Sequence, residues 1–291
     1  MREIAGIDEM RAACVGVRVA GERLAFVPTM GFLHEGHLRL ARVARERAPH
    51  MAMSIFVNPL QFAPGEDFEQ YPRDPARDCA LAESAGVDFL WMPSREAMYP
   101  EPPRVTVAPG PMGDVFEGAA RPGHFAGVLT VVLKLFEVVR PHVAVFGRKD
   151  VQQAALVRRM VADFGLGVEI VVAPTVREAD GLALSSRNVY LDAAARGHAT
   201  LLSRALAAGV ERFRWGERRG AGVAAAARAV LDAEPAIATD YVACIDPETF
   251  GAAADATGAC VLAIAARIGG TRLIDNVVLG EGLEADVRAG G

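Results

Sequence analysis

Cysteine is scarce in this sequence. Four occur in 291 residues, at Cys14, Cys79, Cys244 and Cys260, and none forms a CxxC pair. That argues against a disulfide framework and reads as buried free thiols in a reducing cytosol. A surplus of positive charge is also missing. The 31 Lys and Arg are outnumbered by 36 Asp and Glu, giving a net charge of −5. Neither nucleic acid nor a membrane surface is therefore an expected partner. The most apolar stretch, "HFAGVLTVVLKLFEVVR", is broken by Lys134, Glu137 and Arg140. It is too short and too charged to span a bilayer and reads as a buried helix. The first ten residues, "MREIAGIDEM", are charged and lack an apolar export core, so a cytoplasmic location is expected. There is no internal repeat, coiled-coil heptad, GxGxxG or Walker A motif, nor a Ser-His-Asp nucleophile elbow.

What is present is apolar. Hydrophobic residues make up 52% of the chain and mean hydropathy is +0.21. That suits a substantial core in one large or two medium domains and excludes disorder. "RLAFVPTM", "MAMSIFVNP", "VDFLWMP", "VAVFG" and "VEIVV" read as strands without clean polar alternation. "EGHLRLARVARERA", "DPARDCALAESAG" and "DVQQAALVRRMVADFG" carry helical spacing between them. Buried strands alternating with helices predict an α/β fold, a parallel sheet covered on both faces, with ligands at the strands' carboxyl ends. Near Thr175 the pattern changes. Two Ala-rich helices, about residues 192–213 and 221–233, precede the strands "TDYVACI", "ACVLAIAARI" and "TRLIDNVVL". The last two should be antiparallel neighbours. A domain boundary is placed at residues 174–178, and the tail "EADVRAGG" is expected to fray.

Between the first strand and helix stands "VPTMGFLHEGHLRL". His34 and His37 are three apart, not four as in HExxH, and no third ligand lies nearby, so a zinc protease is a poor reading. Gly31 permits a tight turn, and the amides opening the helix can receive an anion. Two histidines there could donate to phosphate oxygens. Equally, one could pack and the other cap. Three further clusters favour phosphate chemistry. "FGRKD" follows a strand and supplies Lys149 as a phosphate-neutralising cation, while Asp150 suits a helix cap, Mg²⁺ or ribose hydroxyls. "LSSRN", Leu184 to Asn188, offers two hydroxyls and a guanidinium. "IFVNPLQF" places Asn58 and Gln61 beyond a strand end, where both can read a small polar ligand. A nucleotide-using transferase or ligase is the leading class.

These segments, together with "SIFVNPLQFAPGEDFEQYPR", "RPGHFAGVLTVVLKLF", "PTVREADGLALSSRN" and, weakly, "AARIGGTRLIDN", resemble the pantoate–β-alanine ligases of the HIGH-motif nucleotidyltransferase superfamily, in the family's order along nearly the whole chain. The resemblance implies a Rossmann-like domain over residues 1–175 and a smaller C-terminal α+β lid domain over 176–291. It implies a cytoplasmic homodimer that condenses pantoate with β-alanine through a pantoyl adenylate, splitting ATP to AMP and pyrophosphate with Mg²⁺. By position, His34 and His37 match the phosphate-contacting histidines. Pro28, Met30, Phe56, Asn58, Gln61 and Gln153 match the pantoate region, with Gln61 and Gln153 as its hydrogen-bonding pair. Met30, Gly147, Lys149, Asp150, Val176 and Leu184 match the nucleotide side, and Ser185, Ser186 and Arg187 match the loop that closes on the triphosphate. Gly181 and the irregular stretch around it would let that loop move. Asp78 and Asp150 are the metal candidates, with Glu117 a weaker one. Tyr71 and Arg73 would lie near the pantoate entrance, and Arg121 and His124 in a flexible wall.

Three positions depart from the family pattern. Phe32 stands where a small residue is commoner. Arg148 replaces an acidic residue, adding positive charge beside the nucleotide or else facing solvent. Leu184 replaces a frequent methionine. None removes a polar catalytic group, so an active enzyme is expected. Two other readings compete: a nucleotidyltransferase of the same superfamily with another acceptor, and a non-catalytic nucleotide-binding protein.

Overall fold

The structure, a computed structural model, describes residues 1–289. In chain order its elements are β1 (Arg2–Ile4), α1 (Ile7–Val19), β2 (Leu24–Thr29), α2 (Glu35–Arg47), β3 (His50–Ile55), α3 (Pro75–Ser84), β4 (Phe89–Trp91), α4 (Arg95–Met98), α5 (Glu117–Ala120), α6 (His124–Val139), β5 (Val143–Gly147), α7 (Val151–Asp163), β6 (Glu169–Ala173) and β7 (Val176–Arg177). There follow α8 (Ala193–Ala199), α9 (Leu201–Arg214), α10 (Gly220–Asp232), β8 (Ile237–Ile245), β9 (Val261–Ile268), β10 (Thr271–Val278) and β11 (Val287–Arg288). The described residues form two compact units. The first holds residues 1–113, 121–147 and 156–173, and the second holds 114–120, 148–155 and the chain from 174 onward. The division falls at Ala173/Pro174, against an expected 175/176, and two earlier segments join the second unit. A sequence scan misses those segments because they are too short to show a pattern of their own.

In the first unit six strands form a parallel sheet in the order β1-β4-β3-β2-β5-β6. Successive residues of a strand point to opposite faces, and here both faces are covered. Ala25 and Val27 of β2, with Met51 and Met53 of β3, pack against Leu40, Ala41, Val43 and Ala44 of α2. On the other face Phe26 meets Phe136 of α6 edge-on at 6.5 Å, and Phe136 meets Phe146 at 6.4 Å. Each such side chain contributes about 1.5–3 kcal/mol through burial. The chain runs from β2 outward through β3 to β4, then returns to place β5 on the other side of β2. The order therefore reverses between β2 and β5, where open α/β sheets bind ligands. The charged amino-terminal segment, expected only to lack an export signal, supplies β1 and α1. Met10, Cys14 and Val17 are buried one helical turn apart on α1.

The second unit is built on the antiparallel sheet β10-β9-β8, so the last two long strands pair as expected. Leu202, Leu206 and Val210 of α9 and Val223, Ala227 and Leu231 of α10 share a core with Leu262, Ile264 and Ile268 of β9. The helix expected over 192–213 is two helices parted at Thr200. There the Thr200 hydroxyl donates to Gly197 O (2.8 Å) and the Ser203 hydroxyl to Thr200 O (3.0 Å). Hydroxyls that bond nearby carbonyls compete with the helical ladder. The tail is not frayed over its described residues. Val287 and Arg288 pair in parallel with Val176 and Arg177. Asp286 is held by two arginines, Arg177 and Arg148. Gly290 and Gly291, also in that expectation, lie outside the described residues. No helix among the described residues is long and apolar enough to cross a membrane.

Candidate active site

The turn after β2 is set by Gly31 and Asp78. Gly31 has φ +84°, and a Cβ there would come within 2.8 Å of Ile55 Cγ2 and 3.0 Å of Asp78 Oδ2. Asp78, 2% exposed, accepts from Phe32 N–H (2.8 Å) with one oxygen and Leu33 N–H (2.7 Å) with the other. Its carboxylate thereby anchors the turn. Phe32 takes a left-handed φ of +49° and stacks its ring against the Arg77 guanidinium at 5.2 Å. The bulky residue is accommodated by that cation–π contact, with the carboxylate holding the backbone.

Turn and helix meet at the two histidines. His34 is the N-cap of α2, and its Nδ1 accepts from Gly36 N–H (3.1 Å). His37 reaches back, and its Nδ1 accepts from His34 N–H (3.2 Å). The rings lie 4.1 Å apart, tilted by 37°. This is a capping box in which imidazoles take the places usually held by Ser and Glu. An accepting Nδ1 carries no proton, so in the neutral rings the proton sits on Nε2. Capping and phosphate donation thus use opposite edges of each ring. The two readings left open by sequence are compatible.

Beyond β3 the chain makes a short turn, Pro59–Gln61, with Asn58 as its cap. Asn58 is 1% exposed and fully engaged. Its Nδ2 donates to Gln61 Oε1 and Gly127 O (both 3.1 Å), while its Oδ1 accepts from Tyr99 OH (3.0 Å) and Leu60 N–H (3.4 Å). Asn58 therefore holds the Gln61 side-chain amide and ties the turn to α6. Gln61 Nε2 donates to Met30 Sδ (3.1 Å). Phe56 is buried with its ring 6.1 Å from Tyr99, and Pro28 is half-buried in β2 opposite Ser54. Tyr71 is buried beside Phe62, and Arg73 donates to the Phe68, Glu69 and Tyr71 carbonyls.

The remaining candidates divide between the units. Gly147 ends β5 in the first, whereas Lys149, Asp150, Gln153, Val176, Leu184 and Ser185–Arg187 belong to the second. Lys149 and Asp150 close a short turn before α7, with Lys149 Nζ 3.8 Å from Asp150 Oδ1. The Asn276 side chain donates to the Arg148 (3.0 Å) and Lys149 (2.9 Å) carbonyls, fixing the lysine's backbone. Arg148 neither faces solvent nor adds free positive charge. It pairs with Glu281 and, at 2.8 Å, with Asp286. Arg177, 1% exposed, binds Asp275 through two nitrogens (2.7 and 2.9 Å), Asp286 (2.6 Å) and Gly181 O (3.1 Å). Burial opposes its charge, but the two carboxylates outweigh that and raise its pKa further.

Gly181 is consequently pinned. Its φ is +98°, and a Cβ would lie 2.8 Å from Ser203 Oγ. Ser185 Oγ accepts from Arg187 N–H (3.3 Å) and caps the turn Ser186–Tyr190, and Leu184 N–H bonds to Val176 O (2.9 Å). Glu117 is buried and paired with Arg272. Among the described residues no group of three His, Cys, Asp or Glu could hold a metal. Sequence reading missed Asp275, Asn276 and Asp286, although the first two lie in the weakly matching "TRLIDN". The one signal was the charge of Asp275 inside an apolar strand; Asn276 is uncharged, and Asp286 lies in the polar tail just before β11.

Comparison with known proteins identifies the family. The family profile described as pantoate-beta-alanine ligase matches residues 2–278. The pantothenate synthetase of Roseiflexus castenholzii is 52% identical over 279 residues, covering 96% of this chain and 99% of the relative. That of Heliobacterium modesticaldum is 51% identical with the same coverage. Among solved structures, pantothenate synthetase from Thermus thermophilus superposes with a TM-score of 0.91 at 48% identity, covering 96% of this chain and 99% of its own. Pantoate-beta-alanine ligase from Francisella tularensis, complexed with beta-gamma ATP and beta-alanine, gives 0.78 at 29% identity, covering 96% and 98%. The chain belongs to the pantoate-β-alanine ligase family.

Proposed function

We propose that this protein condenses pantoate with β-alanine, using ATP and releasing AMP and pyrophosphate by way of a pantoyl adenylate. The observation that carries the reading is the His34–His37 box at the reversal of the sheet order, with both Nδ1 atoms accepting. Two Nε2–H donors and the first amides of α2 are what a phosphate needs from a helix start.

Pantoate's carboxylate is ionised at neutral pH, so its attack on the α-phosphorus needs no strong base. The difficulty is bringing an anion up to a polyanion. His34, His37, Lys149 and Arg187 answer it by charge and position. Ser185 and Ser186 offer hydroxyls to the phosphates, Gly147 leads the chain to Lys149, and Val176 and Leu184 lie on the adenine side. Gln61 and Gln153 orient pantoate, with Met30, Pro28 and Phe56 as the apolar lining. Mg²⁺, when bound with ATP, neutralises phosphate charge. Asp150 is a half-exposed carboxylate, and one carboxylate with phosphates is an ordinary Mg²⁺ set. The reading extends to a homodimer in the cytoplasm, with the C-terminal domain as a lid.

Incubation with ATP and pantoate alone should release pyrophosphate from enzyme-equivalent amounts of ATP. AMP should appear only when β-alanine is added. A protein that turns over ATP with another acceptor, but not with pantoate, would overturn the reading.

A further inference from the structure

Behind Gln61 lies a cluster to which no role has yet been given. Arg121 donates from Nε and one terminal nitrogen to Glu66 (2.8 and 2.6 Å), and that same terminal nitrogen reaches Gln61 O at 3.2 Å. His124 Nδ1 lies 2.9 Å from Gln61 O, and its Nε2 lies 3.1 Å from the other terminal nitrogen of Arg121. A carbonyl only accepts and a guanidinium only donates. The ring must therefore donate from Nδ1 and accept at Nε2, so His124 is neutral with its proton on Nδ1. Its tautomer is opposite to that of His34 and His37. Glu66 completes the cluster. Burial raises its carboxyl, but the hydrogen bond and charge of Arg121 prevail and hold it below the usual range.

The carbonyl so gripped belongs to the residue whose amide faces Met30. The turn that carries it has little other freedom. At Gly127 a Cβ would lie 2.2 Å from Leu60 O, so α6 touches the turn backbone directly. Asn58 ties the turn to the same helix, donating to Gly127 O as well as to Gln61 Oε1.

We propose that Arg121 and His124 are positioning residues for the hydroxy-acid substrate: by fixing the Gln61 backbone carbonyl from two directions they set the position from which the Gln61 amide, oriented by Asn58 and Met30, meets it. The inference rests on the reading of Gln61 as a pantoate ligand. It gives the expected flexible wall a definite task, which is to hold the floor of the pocket.

The test compares steady-state constants for pantoate and for ATP in the full-length protein. His124→Ala should raise KM for pantoate about tenfold, the effect of losing one hydrogen bond at a binding group, with KM for ATP within about twofold. His124→Asn places an amide N–H where Nδ1 stood and should restore most of the affinity. His124→Gln offers its amide at the Nε2 position and should not. The proposal is overturned if His124→Ala leaves KM for pantoate unchanged, raises both constants alike, or is rescued equally by Gln and Asn. Gln61→Ala separates the two levels. If it raises KM for pantoate while His124→Ala does not, the positioning role fails alone. If Gln61→Ala leaves that constant unchanged, the underlying reading of Gln61 fails.

Discussion

At the scale of single residues, one side chain often performs two tasks with different atoms. His34 and His37 cap a helix through Nδ1 and present an N–H at Nε2. Sequence leaves capping and phosphate binding as rivals because it does not say which nitrogen does what. Asp78 shows another case, a carboxylate whose oxygens each accept from a backbone amide and so anchor the turn. Asp78→Asn leaves one oxygen for two N–H groups, so a buried donor loses its partner. Thermal melting should show a loss of about 1–3 kcal/mol. The Mg²⁺ concentration giving half-maximal activity should stay unchanged. A shifted Mg²⁺ requirement with unaltered stability would assign a metal role to Asp78.

At the scale of elements, the loop carrying Ser185–Arg187 and the turn carrying Lys149 are tied to the same buried charges. Arg177 joins β7 to β10 and to the tail, and Arg148 joins the Lys149 turn to that tail. Removing one partner of a buried ion pair leaves the others charged and unpaired, which typically costs about 3–5 kcal/mol. Arg177→Met should therefore lower the melting temperature sharply, and Asp286→Asn by less, because Asp275 still pairs with Arg177. Equal and negligible shifts in calorimetry would mean that the network is not holding the second unit together. The unexpected Arg148 is explained at this scale. Its partners, Asp286 and Glu281, lie over 130 residues away in sequence.

At the scale of the whole molecule, pH dependence follows from groups kept neutral inside the fold. His142 has its pKa pushed below the ordinary 6.5, first by burial and then by the nearby charges of Arg18 and Arg23. The native state thus binds fewer protons than the unfolded chain in the window just below pH 6.5. The stability from His142 is complete above that value and is lost as pH falls through it toward the folded-state pKa. Melting temperatures measured between pH 7.5 and 5 should decline on the acid side. In His142→Gln that decline should be shallower. An identical slope in the variant would assign acid lability elsewhere.

Much of the fold was legible in the chain because the signals are local. Unbroken apolar runs such as "LAFV" and "AVFG" specify strands buried on both faces, and helical spacing between them imposes parallel crossovers. The motif residues His34, Gln61, Lys149 and Arg187 were visible as polar groups in the loops that follow apolar runs. What the sequence by itself determined is thus the α/β class, most of the strands and helices, and the chemical kinds of residue at their ends. Only the tertiary structure decided the tautomers of His34, His37 and His124, the anchoring use of Asp78 and Asn58, the Glu117–Arg272 pair, the ordered tail and the close packing at Gly181. Each of these depends on a hydrogen-bond partner brought near by folding, and a donor or acceptor carries no mark in sequence of the atom it will meet.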